Sequence, residues 1–119
     1  MKLKGLNDQL MATAAHRYCL GRRSYIVGAC LDWLYQTWEQ FDRNTRRVMI
    51  RDTIAALMDD QAGGSYDVDG WQGFAAFGYL RLNDEDQQWV RSSVAHKGKP
   101  WPLEECGNVA AVGTVGRSG

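Results

Sequence analysis

The sequence predicts an all-α fold, a compact bundle of about five helices, and three observations predict it. Apolar residues recur at three- and four-residue steps from Leu6 to Ala95. Capping residues and glycines interrupt that periodicity where one helix should give way to the next. No segment sustains the alternation of a strand: only Val109 to Val115 reads as briefly extended, and nothing obvious pairs with it.

The first helix spans Leu6 to Leu20, with Leu6, Leu10, Met11, Ala14, Ala15, Tyr18 and Cys19 as its apolar set. Asn7 or Asp8 can cap its start, and Gly21 can supply a left-handed stop. Ser24 is then an N-cap for a second helix, Tyr25 to about Gln40. Its apolar set is broad (Ile26, Val27, Cys30, Leu31, Trp33, Leu34, Trp38, Phe41), which suggests a central helix touched on more than one side. The small Gly28 and Ala29 would let a neighbour approach closely.

Asp42-Arg43-Asn44-Thr45 breaks the pattern with capping side chains, and a third helix runs from about Thr45 to Met58 on Val48, Ile50, Ile54, Leu57 and Met58. Asp59 and Asp60 end it, where the helix dipole disfavours negative charge. Gln61 to Ser65 reads as a loop, and Asp69 as the cap of a short fourth helix through Leu80. Asn83-Asp84-Glu85-Asp86 opens a fifth, about Asp84 to Ala95, with its acids in the turn where the dipole favours them. Trp101 stands between Pro100 and Pro102 and cannot lie mid-helix; it reads as a staple of the chain end onto the bundle. Residues 1–103 form one domain in this reading, and the Gly, Val and Ser-rich stretch 104–119 is a flexible tail.

Composition bounds the function. The chain has 119 residues, 45% hydrophobic, with five Trp and a formal net charge of zero, so no global field draws it to nucleic acid or lipid. Charge is nonetheless uneven. Residues 1–58 hold nine Lys/Arg and five Asp/Glu, and residues 59–119 hold five and nine, giving +4 and −4. Either the halves pair within the fold, or they offer a basic and an acidic patch to partners. Three cysteines, Cys19, Cys30 and Cys106, match no disulfide framework, so a reducing, cytoplasmic setting is expected. No apolar run approaches a membrane span.

The residues that could hold chemistry give no reaction. His16 and Cys19 share a helix face and could join Cys30, His96 or Cys106 around zinc, but there is no paired-ligand spacing. Asp67-Val68-Asp69-Gly70 resembles the middle of a calcium loop, yet position twelve falls on Ala76 where a bidentate glutamate is required. No nucleophile elbow, zinc-protease motif or phosphate loop occurs. No catalytic set, metal or cofactor is expected, and an enzyme hidden around His16, Cys19 and Cys30 is the third reading.

The arginines point to binding instead. Arg43, Arg47 and Arg51 fall at i, i+4 and i+8 with Arg46 beside them, a candidate exposed patch for phosphate or carboxylate partners. Arg17, Arg22 and Arg23 flank the first corner. Arg22 or Arg23 could answer Asp59 or Asp60, which makes Arg17, Tyr18, Gly21, Arg22, Arg23, Ser24 and Tyr25 a structural corner rather than a contact.

That corner also bears a resemblance. Arg17-Tyr18, Leu20-Gly21-Arg22-Arg23 and Tyr25-Ile26-Val27 are similar to an "RYALGRRTYIV" pattern in small bacteriophage and prophage accessory proteins, with Cys19 where Ala is usual and Ser24 where Thr is usual. Asn44-Thr45-Arg46 and Val48-Ile50-Arg51-Asp52 resemble the third segment of the same family, so the similarity covers about residues 10–58. It implies a phage accessory protein working in the bacterial cytoplasm, with no catalytic residues to transfer. By analogy of class, such a protein binds a host protein or ribonucleoprotein complex and blocks it, as an anti-CRISPR does. A nucleic-acid-binding regulator is the alternative.

Overall fold

A computed structural model describes residues 3–22, 25–59, 65–95 and 100–103. The chain runs through α1 (Leu6–Leu20), α2 (Tyr25–Thr37), a 3₁₀ turn at Trp38–Gln40, α3 (Arg43–Met58), α4 (Ser65–Arg81) and α5 (Asp84–Ser93). Among the described residues there is no strand, and the fold is all-α as expected. The tail at 104–119 lies outside the described residues.

Local chemistry sets the boundaries. Asp42 caps α3 by accepting the Thr45 N–H at 2.8 Å, so the helix begins at Arg43 rather than at Thr45. Asn83 does the same for α5 with the Asp86 N–H at 2.8 Å. That helix stops at Ser93, because Val94 turns extended. Three expectations change. The cap of α1 is Gly5, whose φ of 151° an L side chain rarely adopts. Asp8 instead reaches back to accept the Lys4 N–H at 2.7 Å. Gly21 is not left-handed (φ −94°); α1 ends by tightening, with the Arg22 N–H donating to the Cys19 carbonyl at 3.0 Å. And α4 starts at Ser65, four residues before Asp69, so the calcium-like Asp67 to Gly70 run is helical.

The centre of the bundle is α3, not α2. It packs on α1, α4 and α5, and buries Met49, Ile50, Thr53 and Ile54 completely. The breadth of the α2 apolar set has a different cause. Leu34 and Val27 are buried between the helices, whereas Trp33 and Ile26 reach the surface and, with Leu34 at its floor, line an outer groove. Trp38, Phe41, Phe74 and Phe77 close the core edge-to-face, with centroids 5.5–6.2 Å apart. Trp101 is 7% exposed, lies against Tyr79 and Arg91, and is anchored where Gln72 donates to the Pro102 carbonyl at 2.6 Å. It is a staple.

Cysteine chemistry departs from the sequence reading. Cys19 and Cys30 are joined in a disulfide, with Cα atoms 6.6 Å apart. A short connection returns α2 antiparallel to α1, and that brings together two residues whose spacing announced nothing. Cys106 and His96 lie outside the described residues.

Candidate functional site

The arginine patch is largely turned to internal use. Arg43 donates from Nε to Asp86 at 2.8 Å and from Nη2 to Asp86 at 3.1 Å and Glu85 at 2.6 Å. Arg47 lies 3.6 Å from Asp86 and 4.5 Å over the Trp89 ring, and Arg51 lies over the same ring while bonding Asp52. Arg46 turns the other way, to the Trp38 carbonyl at 3.1 Å and Glu39 at 3.3 Å. The i, i+4, i+8 stripe is therefore the seam along which α5 docks on α3. Asp86 is buried, and its hydrogen bond from Arg43 holds its carboxyl below the usual range despite burial. Here the basic first half meets the acidic second half within the fold.

The corner is mixed. Arg17 pairs with Asp52 at 3.6 Å, and Arg22 stacks 4.2 Å over the Tyr18 ring. Arg23, Ser24, Asp60 and the Tyr25 side chain lie outside the described residues.

The larger finding is the orientation of α1. Its buried face is Gln9, Ala12, Thr13, His16, Cys19 and Leu20. Of the apolar set read from the sequence only Cys19 is inside. Leu6, Met11, Tyr18 and Leu10 are 70, 70, 61 and 55% exposed, and Ala14 and Ala15 are exposed with them. The polar face turns inward because each group on it has a job. The Gln9 amide donates to the Gln40 carbonyl at 3.0 Å and accepts the Asp42 N–H at 2.9 Å, tying α1 to the turn before α3. His16 Nε2 lies 2.8 Å from Thr53 Oγ1, whose hydroxyl already donates to the Met49 carbonyl. With that proton committed to Met49, Thr53 Oγ1 accepts from Nε2–H of His16. Burial first, then the neighbouring Arg17 charge, pushes the His16 pKa down to about 3. The signal for this was present: Gln9, Thr13, His16 and Leu20 also recur at helical spacing.

Beside the outward stripe, α1 and α2 form an apolar groove. One pocket of about 470 Å³ is lined by Ala15, His16, Ile26, Ala29, Trp33 and the Cys19–Cys30 disulfide. A second, about 220 Å³, shares Ala15 and Trp33 and extends past Met11 to Leu3.

The described groups that line the groove are committed elsewhere. The His16 imidazole bonds a threonine that is already donating to backbone, and the nearby sulfurs are oxidised. Among the described residues no three His, Cys, Asp or Glu converge as metal ligands, and no helix is long and apolar enough to cross a membrane. Comparisons with protein-family models, curated proteins and solved structures find no match to this chain.

Proposed function

We propose that this chain is a non-enzymatic binding protein whose working surface is the apolar face of α1 with the α1–α2 groove. The observation behind this reading is the inverted first helix: four large apolar side chains more than half exposed, on the side opposite a polar face that bonds into the fold through Gln9 and His16 Nε2. Contiguous apolar surface of this size marks a contact site more often than chance exposure. The corner resemblance directs the reading further, to a phage accessory protein that occludes a host protein or ribonucleoprotein complex, as anti-CRISPR proteins do. The arginines contribute less to such a contact than their spacing suggests, since each already has internal partners.

The test is a phage-protection assay in bacteria that carry an active CRISPR system. The wild-type chain is expected to restore plaque formation, Leu10→Asp with Met11→Lys to abolish that rescue, and Arg43→Glu to weaken it less. No rescue across the main system types refutes the inhibitor reading. Salt-sensitive retention on DNA or RNA that survives the apolar substitutions would favour the nucleic-acid alternative.

A further inference from the structure

We infer that the α1–α2 face is where two copies of this chain pair about a two-fold axis, α1 against antiparallel α1. This proposal shares the face of the preceding reading but not its target, which would reach the face by displacing the second copy.

The face is self-complementary in shape. Met11 and Tyr18 project from α1 two turns apart, about 10 Å along the axis, with the small Ala14 and Ala15 between them. The two pockets meet at Ala15 and Trp33, so they open on either side of that same midpoint. An antiparallel α1 from a second copy sets its alanine pair over this one, at the 8–10 Å separation typical of packed helices. Its Met11 and Tyr18 then arrive at the two pockets, and the relation is reciprocal, as an isologous interface requires. The chain thus presents both the ridge and the groove that fits it.

The size fits a weak dimer. The exposed parts of Leu10, Met11, Tyr18 and Ile26 amount to roughly 450 Å² per copy, about half of the ~800 Å² per partner of a standard interface. The net charge of zero removes repulsion between like chains. A lipid surface fits less well. Interfacial helices set Lys and Arg opposite their apolar side, whereas here that side is Gln9, Thr13 and His16, buried, and the cation within α1, Arg17, is paired with Asp52.

Sedimentation equilibrium of the full, oxidised chain from about 1 to 100 µM tests the proposal. A mass approaching twice 13.4 kDa is expected at the upper end. Ala14→Arg at the axis and Met11→Lys beside it are each expected to weaken dimerisation about tenfold or more. Leu80→Asp, equally exposed but on α4, is expected to leave it unchanged. Ala14→Cys in a Cys106→Ser background should give a covalent dimer on mild oxidation, an independent readout. A monomer throughout the range overturns the proposal. So does a dimer indifferent to Ala14→Arg, or flotation of a monomer with phosphatidylglycerol vesicles. Each of these outcomes leaves the phage-protection result standing by itself.

Discussion

His16 makes the stability of this protein depend on pH in a window that few other groups share. In the folded chain its pKa is pushed down to about 3 by burial and by Arg17, against 6.5 for a solvated imidazole. The unfolded chain therefore takes up the proton first. Stability is complete above about pH 7.5, declines as pH falls through 6.5, and continues to decline towards the folded value. Each pH unit below 6.5 removes up to about 1.4 kcal/mol, so between pH 6.5 and 4.5 the loss is roughly 2.5 kcal/mol, most of it above the range in which carboxylates protonate. With an m-value of roughly 1.5 kcal/mol/M the urea midpoint should fall by about 1.5 M over that interval. Tryptophan fluorescence reads it directly, since Trp71 lies 5.6 Å from the His16 ring. His16→Gln should remove the dependence, and His96→Gln should retain it. A midpoint that is flat from pH 7.5 to 4.5, or a slope that survives His16→Gln, would refute the assignment of a buried, neutral imidazole.

Other expectations follow from the packing. Gly78→Ala places a carbon 2.7 Å from Ile50 Cγ1 and 2.9 Å from Trp38 Cη2, both buried, and should lower stability by about 1–3 kcal/mol although Ala is the better helix former; a thermal melt at or above wild type contradicts the α3–α4 contact. Reduction of Cys19–Cys30, or Cys30→Ser, opens a link across 11 residues and should cost about 3 kcal/mol by the chain-entropy estimate, seen as a lower melting temperature in dithiothreitol. Asp86→Asn weakens the seam with Arg43 and Arg47. Because the Asp86 pKa is lowered in the fold, the wild-type advantage should be full at neutral pH and disappear as pH falls through the carboxylate range, in paired denaturation series.

How much of this was legible depends on whether local chemistry or docking decides. Helix existence and the α3 and α5 starts were local: Asp42 and Asn83 sit one residue before the helices they cap, and a capping side chain acts within three residues. Docking decided the rest. Helical spacing shows that Leu6, Leu10, Met11 and Tyr18 share a side, but equally that Gln9, Thr13, His16 and Leu20 do, and periodicity does not say which side meets the core. The choice rests on Gln40, Asp42 and Thr53, more than thirty residues away in sequence. Likewise the stripe at Arg43, Arg47 and Arg51 was visible, but not that Asp86 and Trp89 of α5 would lie over it. The disulfide was hidden for the same reason, since its two cysteines meet only after α2 folds back on α1.

The orientation of α1 can be weighed in energies. Covering the outward stripe would be worth up to ~12 kcal/mol at 25 cal/mol per Å² of roughly 500 Å², reduced by whatever the helix now buries. A half-turn of α1 would gain part of that, but it would break the Gln9 bonds to the Gln40 carbonyl and the Asp42 N–H and the His16 bond to Thr53, at about 0.5–1.5 kcal/mol each. It would also expose Ala12 and Leu20 and pull Cys19 away from Cys30. Gln9 near the start of the helix, His16 in its second half and the disulfide near its end thus lock one rotational setting at three separate points. Had the stripe been incidental, one apolar substitution at Gln9, Thr13 or His16 would relieve a conflict between burial and polarity. Instead Gln9, Thr13 and His16 Nε2 are hydrogen-bonded and the apolar side stands open beside a groove. Those three locks keep on the surface an apolar stripe that the isolated chain would gain by hiding, and the proposed association would cover it.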